Sequence, residues 1–242
     1  MPTTKIVYCP CAGVCSVFWL QRSSNGHFLT YINARNESLS YFWGNKNVYS
    51  VNVRNMKIIA FGASYSRDSI NRKFASYATE FFPEADVEIL DLRDFDLPLY
   101  TSDVEAAIGH PQAAHDFLAK VEEADLLIVS LAEHNGSYTA AFKNLFDWTS
   151  RIKAKLFEGK KMLLLATAPG PRGGKSVLQA ATQRFPVHGS VIVGTFSLPL
   201  FRENFSEEAG ILDSALKEEF ERVLATATNH LNETEHAGLA AQ

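Results

Sequence analysis

Five short apolar runs alternate with segments of helical pattern from Lys57 to about Leu231, and this alternation constrains the fold more than any other feature of the chain. The apolar runs are Lys57–Phe61, Val87–Leu90, Leu126–Ser130, Lys161–Ala166 and Ser190–Gly194. The helical segments are Ser69–Phe81, Pro111–Glu122, Ser137–Ser150, Lys175–Arg184 and about Ala209–Leu231. Runs of this length suit strands that are buried on both faces. The pattern therefore predicts an α/β fold of three layers, in which a doubly wound, five-stranded parallel sheet is covered by helices on both sides.

Residues 1–55 do not share this pattern. They are rich in Asn, Ser and aromatic residues, and they sustain no period of 3.6 or 2. We interpret them as a poorly ordered extension, or as upstream sequence included because translation was assigned to start too early. Met56 supports the second interpretation, because it stands immediately before the first predicted strand. The predicted functional domain is then residues 56–242.

All three cysteines, Cys9, Cys11 and Cys15, fall within the first fifteen residues. Their Cys-x-Cys-x₃-Cys spacing is compatible with part of a metal site, but no nearby histidine completes a tetrahedral set, the closest being His27. We therefore predict no metal. Because no cysteine follows Met56, the predicted domain depends on neither a disulfide nor a thiol.

The distribution of charge excludes one class of partner. Residues 1–55 hold five Lys or Arg and one acidic residue, so the net charge of −4 conceals an acidic remainder. Such a body argues against non-specific binding of nucleic acid, which needs clustered positive charge.

The apolar run from Ile6 to Leu20 is interrupted by Pro10 and is shorter than the roughly 20 residues of a membrane span. A signal peptide is a weaker interpretation of this run, because no convincing cleavage site follows it. We expect a cytoplasmic protein without a membrane span.

The loops after the first, third and fourth predicted strands carry unusual residues. In doubly wound sheets, ligands bind beyond the carboxyl ends of the strands at the switch point of strand order. The first loop, Gly62–Ser69, places hydroxyls at Ser64, Ser66 and Ser69, and a helix follows it. Hydroxyls and free backbone N–H groups at a helix N-terminus suit a phosphate, whereas ordinary capping by Ser69 alone is the simpler alternative. Neither the Gly-x₄-Gly-Lys-Ser/Thr loop nor the Gly-x-Gly-x-x-Gly fingerprint is present, so a monophosphate is favoured.

The other two loops are rich in turn-forming residues. Asn135-Gly136-Ser137 follows the third strand, and Gly170, Gly173 and Gly174 follow the fourth. Loops of this kind can present bare backbone groups to a flat polar heterocycle, because glycine adopts conformations closed to other residues. Each loop alone is equally consistent with an ordinary turn. Their joint position after neighbouring strands favours a shared binding site.

Three stretches make a resemblance to a known family specific. Gly62–Asn71 reads Gly-Ala-Ser-Tyr-Ser-Arg-Asp-Ser-Ile-Asn, Glu133–Trp148 begins Glu-His-Asn-Gly-Ser-Tyr, and Ala168–Gly174 reads Ala-Pro-Gly-Pro-Arg-Gly-Gly. Over about residues 56–231 the chain resembles the NAD(P)H-dependent FMN reductase family. The resemblance implies a flavodoxin-like fold with strand order 2-1-3-4-5. In the family's middle motif, proline usually stands at the position of Ala132 and tyrosine at that of His134.

The resemblance also implies which residues bind the cofactor. The FMN phosphate maps to the first loop, at Ser64, Ser66, Ser69, Ile70 and Asn71. The isoalloxazine ring maps to the other two loops, at Ala132, Glu133, His134, Asn135, Gly136, Ser137, Ala168, Pro169, Gly170, Arg172, Gly173 and Gly174. Arg172 is also a candidate partner for a phosphate of the incoming nicotinamide cofactor, the alternative being an exposed arginine without that role.

The function that the resemblance implies is an FMN-containing oxidoreductase. Hydride passes from NADPH or NADH to FMN, and electrons then pass to a flavin, a quinone or a similar acceptor in ping-pong order. The flavin carries this chemistry, so no catalytic side chain is required. Two alternatives stay open. One is a flavodoxin-like electron carrier without a nicotinamide site, and the other is a regulatory protein that has lost FMN through the changes at Ala132 and His134.

The helix Ser137–Ser150 bears on quaternary structure. Its apolar side chains Tyr138, Phe142, Leu145, Phe146 and Trp148 are spread around several faces. We interpret this surface, together with the family's habit of association, as favouring a homodimer or homotetramer, with core packing as the alternative.

Overall fold

The computed structural model describes the backbone of residues 5–8, 17–23, 26–32, 38–43 and 56–239, and the side chains of residues 56–231. The chain divides into two compact units, Met1–Val53 and Arg54–Gln242. Within the first unit, four strands form an antiparallel sheet in chain order: β1 (Lys5–Tyr8), β2 (Val17–Ser23), β3 (Gly26–Ile32) and β4 (Ser38–Trp43). The sequence does not predict these strands, because no period of 2 is sustained there. The interpretation of residues 1–55 as an extension stays a prediction, and Cys9, Cys11 and Cys15 lie outside the described residues.

The second unit alternates strands and helices. Its strands are β5 (Lys57–Ala63), β6 (Asp86–Leu90), β7 (Leu126–Leu131), β8 (Glu133–His134), β9 (Ser137–Tyr138), β10 (Lys161–Thr167), β11 (Val191–Leu198), β12 (Phe205–Ser206) and β13 (Gly210–Ile211). Its helices are α1 (Ile70–Thr79), α2 (Ser102–Ile108), α3 (Gln112–Glu123), α4 (Ala140–Ile152), α5 (Lys175–Arg184), α6 (Phe201–Asn204) and α7 (Ser214–Leu239), with 3-10 turns at Leu92–Asp94 and Phe185–His188.

Five of these strands form one parallel sheet in the order β11-β10-β7-β5-β6. Counted along the chain, the order is 2-1-3-4-5, which confirms the predicted flavodoxin-like topology. Phe61 of β5 packs on one face against Phe117 of α3 and Phe142 of α4, at ring-centroid distances of 5.6 and 6.2 Å. On the other face, Phe196 of β11 meets Phe74 of α1 and Phe220 of α7, at 6.1 and 5.1 Å. Helices therefore cover both faces of the sheet and form the three predicted layers.

The predicted elements differ from the observed ones mainly at their ends. All five apolar runs are strands of the parallel sheet, and α5 has the predicted bounds. The helix predicted over Ser137–Ser150 instead begins at Ala140 and ends at Ile152. The sequence did not predict the short elements α2 and α6 or the two small hairpins, because each is too short for a hydrophobic period to develop.

The apolar side chains of α4 lie inside the unit. Phe142, Leu145, Phe146 and Trp148 are all buried, and the Trp148 Nε1–H donates to the Pro98 carbonyl at 2.7 Å. The surface that suggested a subunit interface is thus largely covered by the chain itself, and the oligomeric state stays a prediction. None of the described helices is long and apolar enough to cross a membrane.

Candidate functional site

The three loops singled out by the sequence follow β5, β7 and β10, which are neighbours in the sheet. Ala63 at the end of β5 pairs with Leu131 at the end of β7, and Leu131 pairs with Ala166 of β10. Neighbouring strands lie roughly 4.8 Å apart. The three loops therefore begin side by side at one edge of the sheet, as a shared site requires.

The loop after β5, residues 64–69, is named the phosphate loop for the ligand that the sequence predicts there, and two of its serine hydroxyls accept backbone N–H groups. The Oγ of Ser64 accepts the backbone N–H of Ser66 at 3.2 Å, and the Oγ of Ser69 accepts that of Arg72 at 3.1 Å. Ser69 is thus the N-cap of α1. A hydroxyl that accepts one bond still has its own hydrogen to donate. Capping and phosphate binding are therefore compatible at these serines, and they are not exclusive alternatives.

Backbone donors at the start of α1 add to this arrangement. The first N–H groups of a helix have no acceptor within the helix, and the helix dipole makes this end positive. Ser69 satisfies only the N–H of Arg72, and the hydrogen bonds of residues 56–231 include no acceptor for the N–H groups of Ile70 and Asn71. The loop therefore fits a dianionic phosphate in hydrogen bonding and in charge.

Gly62 permits α1 to approach the end of β5. A Cβ atom at this position would lie 2.3 Å from the backbone N of Arg72 and 2.7 Å from the carbonyl carbon of Asn71. Backbone atoms cannot yield to such a contact as a flexible side chain can. The glycine is therefore required for the packing of the helix on the strand, and this packing fixes where the phosphate loop lies.

Arg72 fastens the same loop from the side, a role that the sequence did not predict. Its guanidinium donates to the Arg67 carbonyl at 2.9 Å and forms an ion pair with Asp91. Asp91 follows β6 and also accepts from Arg93. Hydrogen bonds from the Arg93 side chain, with the neighbouring charge of Arg72, hold the pKa of the Asp91 carboxyl well below its ordinary value. Near neutral pH the Asp91 carboxyl is therefore ionised and keeps its ion pair with Arg72 beside the loop after β5.

Asn71 is buried beneath the loop, with 2% of its surface exposed. Its Oδ1 accepts hydrogen bonds from Ser130 Oγ at 2.8 Å and from the Thr167 N–H at 3.1 Å. Its Nδ2 donates to the Thr167 carbonyl at 3.1 Å. The predicted cofactor residue Asn71 thus has protein partners for most of its hydrogen-bonding capacity.

The loop after β7 is a tight hairpin and not the direct start of a helix. Glu133 pairs with Tyr138 and His134 with Ser137, while Asn135 and Gly136 form the connection with φ of 52° and 75°. Positive φ at both central residues is the signature of a type I′ turn, for which Asn-Gly is the preferred sequence. Because the pairing includes Ser137 and Tyr138, the helix begins only after this hairpin, which corrects the predicted start.

Thr139 connects the hairpin to its surroundings. Its Oγ1 accepts the Phe142 N–H at 3.3 Å as the N-cap of α4 and donates to the Ala63 carbonyl at 3.0 Å. The hairpin is thereby attached to the end of β5, where the phosphate loop begins. His134 to Ser137 remain exposed at the tip, so their backbone groups are accessible to a ligand.

The loop after β10 is packed tightly by its glycines. Gly173 and Gly174 are buried and have φ of 58° and 79°. A Cβ atom on Gly173 would lie 2.6 Å from Ser197 Oγ, which in fact donates to the Gly173 carbonyl at 3.0 Å. The N–H of Leu200, itself at φ 49°, donates to the Gly170 carbonyl at 3.1 Å. The end of β11 and the residues after it therefore support this loop, a contribution that the sequence did not reveal.

Glu133 links the two loops that were predicted to hold the flavin ring. Its carboxylate accepts the Val177 N–H at 3.0 Å and an N–H of Arg172 at 3.2 Å. The N-cap of α5 is Gly174, which has no side chain, so Glu133 supplies the missing acceptor from a distant part of the chain. The Glu133 side chain is 10% exposed and that of Arg172 73%, so the carboxylate is built into the site while the guanidinium reaches solvent.

The remaining predicted residues occupy the same edge of the sheet. Ala132 is buried at the base of the hairpin, and Pro169 is exposed in the glycine loop, as is Ser66 in the phosphate loop. Within the described residues, no group of three or more His, Cys, Asp or Glu is arranged to hold a metal ion.

Residues 56–202 match the family model described as NADPH-dependent FMN reductase. A protein of Arabidopsis thaliana named NADPH:quinone oxidoreductase is 27% identical over 177 residues, which are 70% of this chain and 88% of that protein. The protein of Escherichia coli (strain K12) named Quinone reductase is 28% identical over 120 residues, which are 49% of this chain and 63% of that protein.

Solved structures also resemble this chain. FerB from Paracoccus denitrificans, described as a flavoenzyme NAD(P)H:(acceptor) oxidoreductase, superposes with a TM-score of 0.60 at 18% identity, covering 74% of this chain and 98% of that one. The apo form of an NADH:FMN oxidoreductase superposes with a TM-score of 0.55 at 21% identity, covering 74% and 90%. At these identities the likeness concerns the fold alone.

Proposed function

Because this chain belongs to the NADPH-dependent FMN reductase family, an enzyme family that uses FMN and NAD(P)H, we propose that it reduces a quinone or a similar small acceptor in two half-reactions of ping-pong order. The observation that carries the proposal is the adjacency of the three loops at the ends of β5, β7 and β10. The chemistry that FMN supplies when bound is acceptance of hydride from a nicotinamide and delivery of electrons to a second substrate. The acceptor class is taken from the names of the two relatives.

The phosphate loop would hold the FMN phosphate. Ser64, Ser66 and Ser69 would each donate a hydroxyl hydrogen, and the N–H groups of Ile70 and Asn71 would add backbone donors at the positive end of α1. The bonds that Ser64 accepts from the Ser66 N–H and Ser69 from the Arg72 N–H hold their Oγ atoms in place. This arrangement supports binding of a dianionic group without any ordering of the loop on binding.

The hairpin and the glycine loop would hold the isoalloxazine ring through backbone groups. The exposed residues His134, Asn135, Gly136 and Ser137 would contribute the hairpin edge, with Ala132 and Glu133 at its base. The loop after β10, called the glycine loop, would contribute Ala168, Pro169, Gly170, Gly173 and Gly174. Backbone groups held by tight turns are pre-organised, which suits a rigid planar ligand.

Arg172 would recognise a phosphate of the incoming nicotinamide nucleotide. Its guanidinium has five N–H groups, and a single one is bonded to Glu133. The side chain is 73% exposed, so the other donors face solvent. An approaching anion would therefore meet the Arg172 guanidinium at the edge of the hairpin after β7 and the loop after β10.

The test is a spectroscopic one. The full chain is purified and examined for flavin absorbance, then titrated anaerobically with NADPH and with NADH, and finally mixed with benzoquinone. We expect yellow protein that a nicotinamide bleaches and a quinone recolours, with parallel double-reciprocal lines in steady state. Colourless protein that cannot be reconstituted with FMN would overturn the proposal. Yellow protein that neither nucleotide bleaches would instead indicate an electron carrier.

Further proposals concern the domain, the compartment and the assembly. We propose that residues 56–242 contain the whole flavin site and that residues 1–55 contribute nothing to it, so deletion of residues 1–55 should leave FMN affinity unchanged. We propose a cytoplasmic location, since residues 56–242 contain no cysteine and need no disulfide; cell fractionation tests this. We propose a homodimer or homotetramer, which sedimentation equilibrium tests.

A further inference from the structure

We propose that Asn71 is a positioning residue that clamps the phosphate loop to the ends of β7 and β10, and that it is not a side-chain ligand of the cofactor. The inference rests on the proposed function, because the clamp positions that same site. An amide side chain has two acceptor lone pairs and two N–H hydrogens. Ser130 and the Thr167 N–H use both lone pairs of Oδ1, and the Thr167 carbonyl uses one hydrogen of Nδ2. At most one hydrogen is left for a ligand.

The clamp joins the segments whose spacing matters to a shared site, since Asn71 and its two partner residues, Ser130 and Thr167, belong to three different elements. Asn71 is the second residue of α1, directly after the phosphate loop. Ser130 lies in β7 three residues before Glu133, and Thr167 is the last residue of β10, directly before the glycine loop. The Thr167 Oγ1–H also donates to the Leu198 carbonyl at 2.8 Å, which extends the network to β11.

The hydrogen bonds of the sheet itself do not hold the start of α1 in place. Strand pairing fixes β5, β7 and β10 relative to each other, but six residues, 64–69, separate the end of β5 from the start of α1. The Asn71 amide forms a buried polar link between the start of α1 and the strands β7 and β10. A shift of the helix start would therefore break it, and a buried amide without partners is costly.

The variants Asn71→Leu and Asn71→Asp separate the hydrogen bonds of the clamp from space filling. Leucine occupies the position without any hydrogen bond, so Asn71→Leu removes all three bonds. A carboxylate at position 71 still accepts from Ser130 Oγ and from the Thr167 N–H, and it lacks only a donor for the Thr167 carbonyl. Asn71→Asp is therefore the conservative variant, in which the Thr167 N–H stays bonded.

The first measurement uses the full chain freed of flavin, so that no phosphate is present. The readout is hydrogen exchange of the Thr167 amide, corrected for intrinsic rate. For Asn71→Leu we expect protection at least about tenfold lower than in wild type, and for Asn71→Asp protection within about twofold of wild type. Asn229→Leu, at an exposed position on α7, is the matched control and should keep wild-type protection.

The second measurement is the dissociation constant for FMN of the same full-length variants. We expect Asn71→Leu to bind FMN about tenfold more weakly than wild type. Wild-type Thr167 protection in Asn71→Leu would overturn the clamp. Lost protection with unchanged FMN affinity would overturn its positioning role. Lost FMN affinity in Asn71→Leu with an intact Thr167 amide would make Asn71 a direct ligand. Failure of the wild type to bind FMN would sink the proposed function, whereas the exchange data would still decide the clamp.

Discussion

The carboxylate of Glu133 accepts the backbone N–H of Val177 at 3.0 Å and so caps helix α5 across 44 positions of sequence. The helix cannot cap itself, because its N-cap residue is a glycine in the left-handed conformation. That glycine is in turn required by the tight packing of the loop after β10. One side chain from the hairpin thus stabilises the helix that follows the glycine loop.

Replacement of Glu133 by alanine should lower the free energy of unfolding by about 1–2 kcal/mol, because loss of a helix cap has this cost. Glu133→Gln keeps an acceptor for Val177 and should lose less. The matched control is Arg172→Ala, which removes only the exposed ion pair and should cost at most about 1 kcal/mol. Urea unfolding of the flavin-free chain measures all three. An equal loss in Arg172→Ala and Glu133→Ala would show that the ion pair matters more than the cap.

Gly62→Ala should be strongly destabilising, by about 3 kcal/mol or more, because its Cβ would overlap backbone atoms that have no room to move. Gly170→Ala is the control within the same site, since nothing lies within 4 Å of a Cβ there and its φ is not in the left-handed region. Thermal unfolding and soluble yield measure the difference. Wild-type stability in Gly62→Ala would contradict the close approach of α1 to β5.

Protonation of the Asp91 carboxyl in acid should lower the free energy of unfolding. Its pKa is lowered in the folded state by hydrogen bonds from Arg93 and by the charge of Arg72. A group with a lowered folded pKa stabilises the fold above its unfolded pKa of about 3.9, and this contribution is lost as pH falls toward the folded value.

The variant Asp91→Asn should therefore be less stable than wild type at pH 7, by about 1 kcal/mol given the partial exposure of the pair, and the difference should shrink steadily as pH falls below about 4. Urea midpoints between pH 7 and pH 2 measure this dependence. A stability difference that stays constant over that range would show that the charge of Asp91 is not responsible.

Gly136→Ala should weaken FMN binding more than it weakens the fold. Its φ is 75° and nothing lies within 4 Å of an added Cβ, so the cost of about 1 kcal/mol comes from the backbone alone. Gly159→Ala is a matched control, because it has φ 72° and equally open surroundings but precedes β10 at the opposite edge of the sheet. Both variants should unfold alike, while only Gly136→Ala raises the dissociation constant for FMN. Equal affinities would argue that the hairpin does not contact the ring.

Much of the site could be predicted because its signals are local. The serines at positions 64, 66 and 69 precede a helix by sequence alone, and Asn135-Gly136 specifies a turn through its own backbone preferences. The hairpin itself was missed because each strand has two residues, too few for an alternating pattern. The helix pattern of the following residues also extended back over Ser137 and concealed it.

The sequence by itself determined the parallel α/β fold, the three loops and the residue types in them, because hydrophobic periodicity and turn preference act between neighbours along the chain. Only the tertiary structure decided which polar groups are partners: Glu133 with Val177, Arg72 with Asp91, and Asn71 with Thr167, which lie 44, 19 and 96 positions apart. Such bonds form only when strand order and register bring a donor and an acceptor within about 3 Å in the correct direction. That geometry is a property of the packed sheet and of no single stretch of sequence.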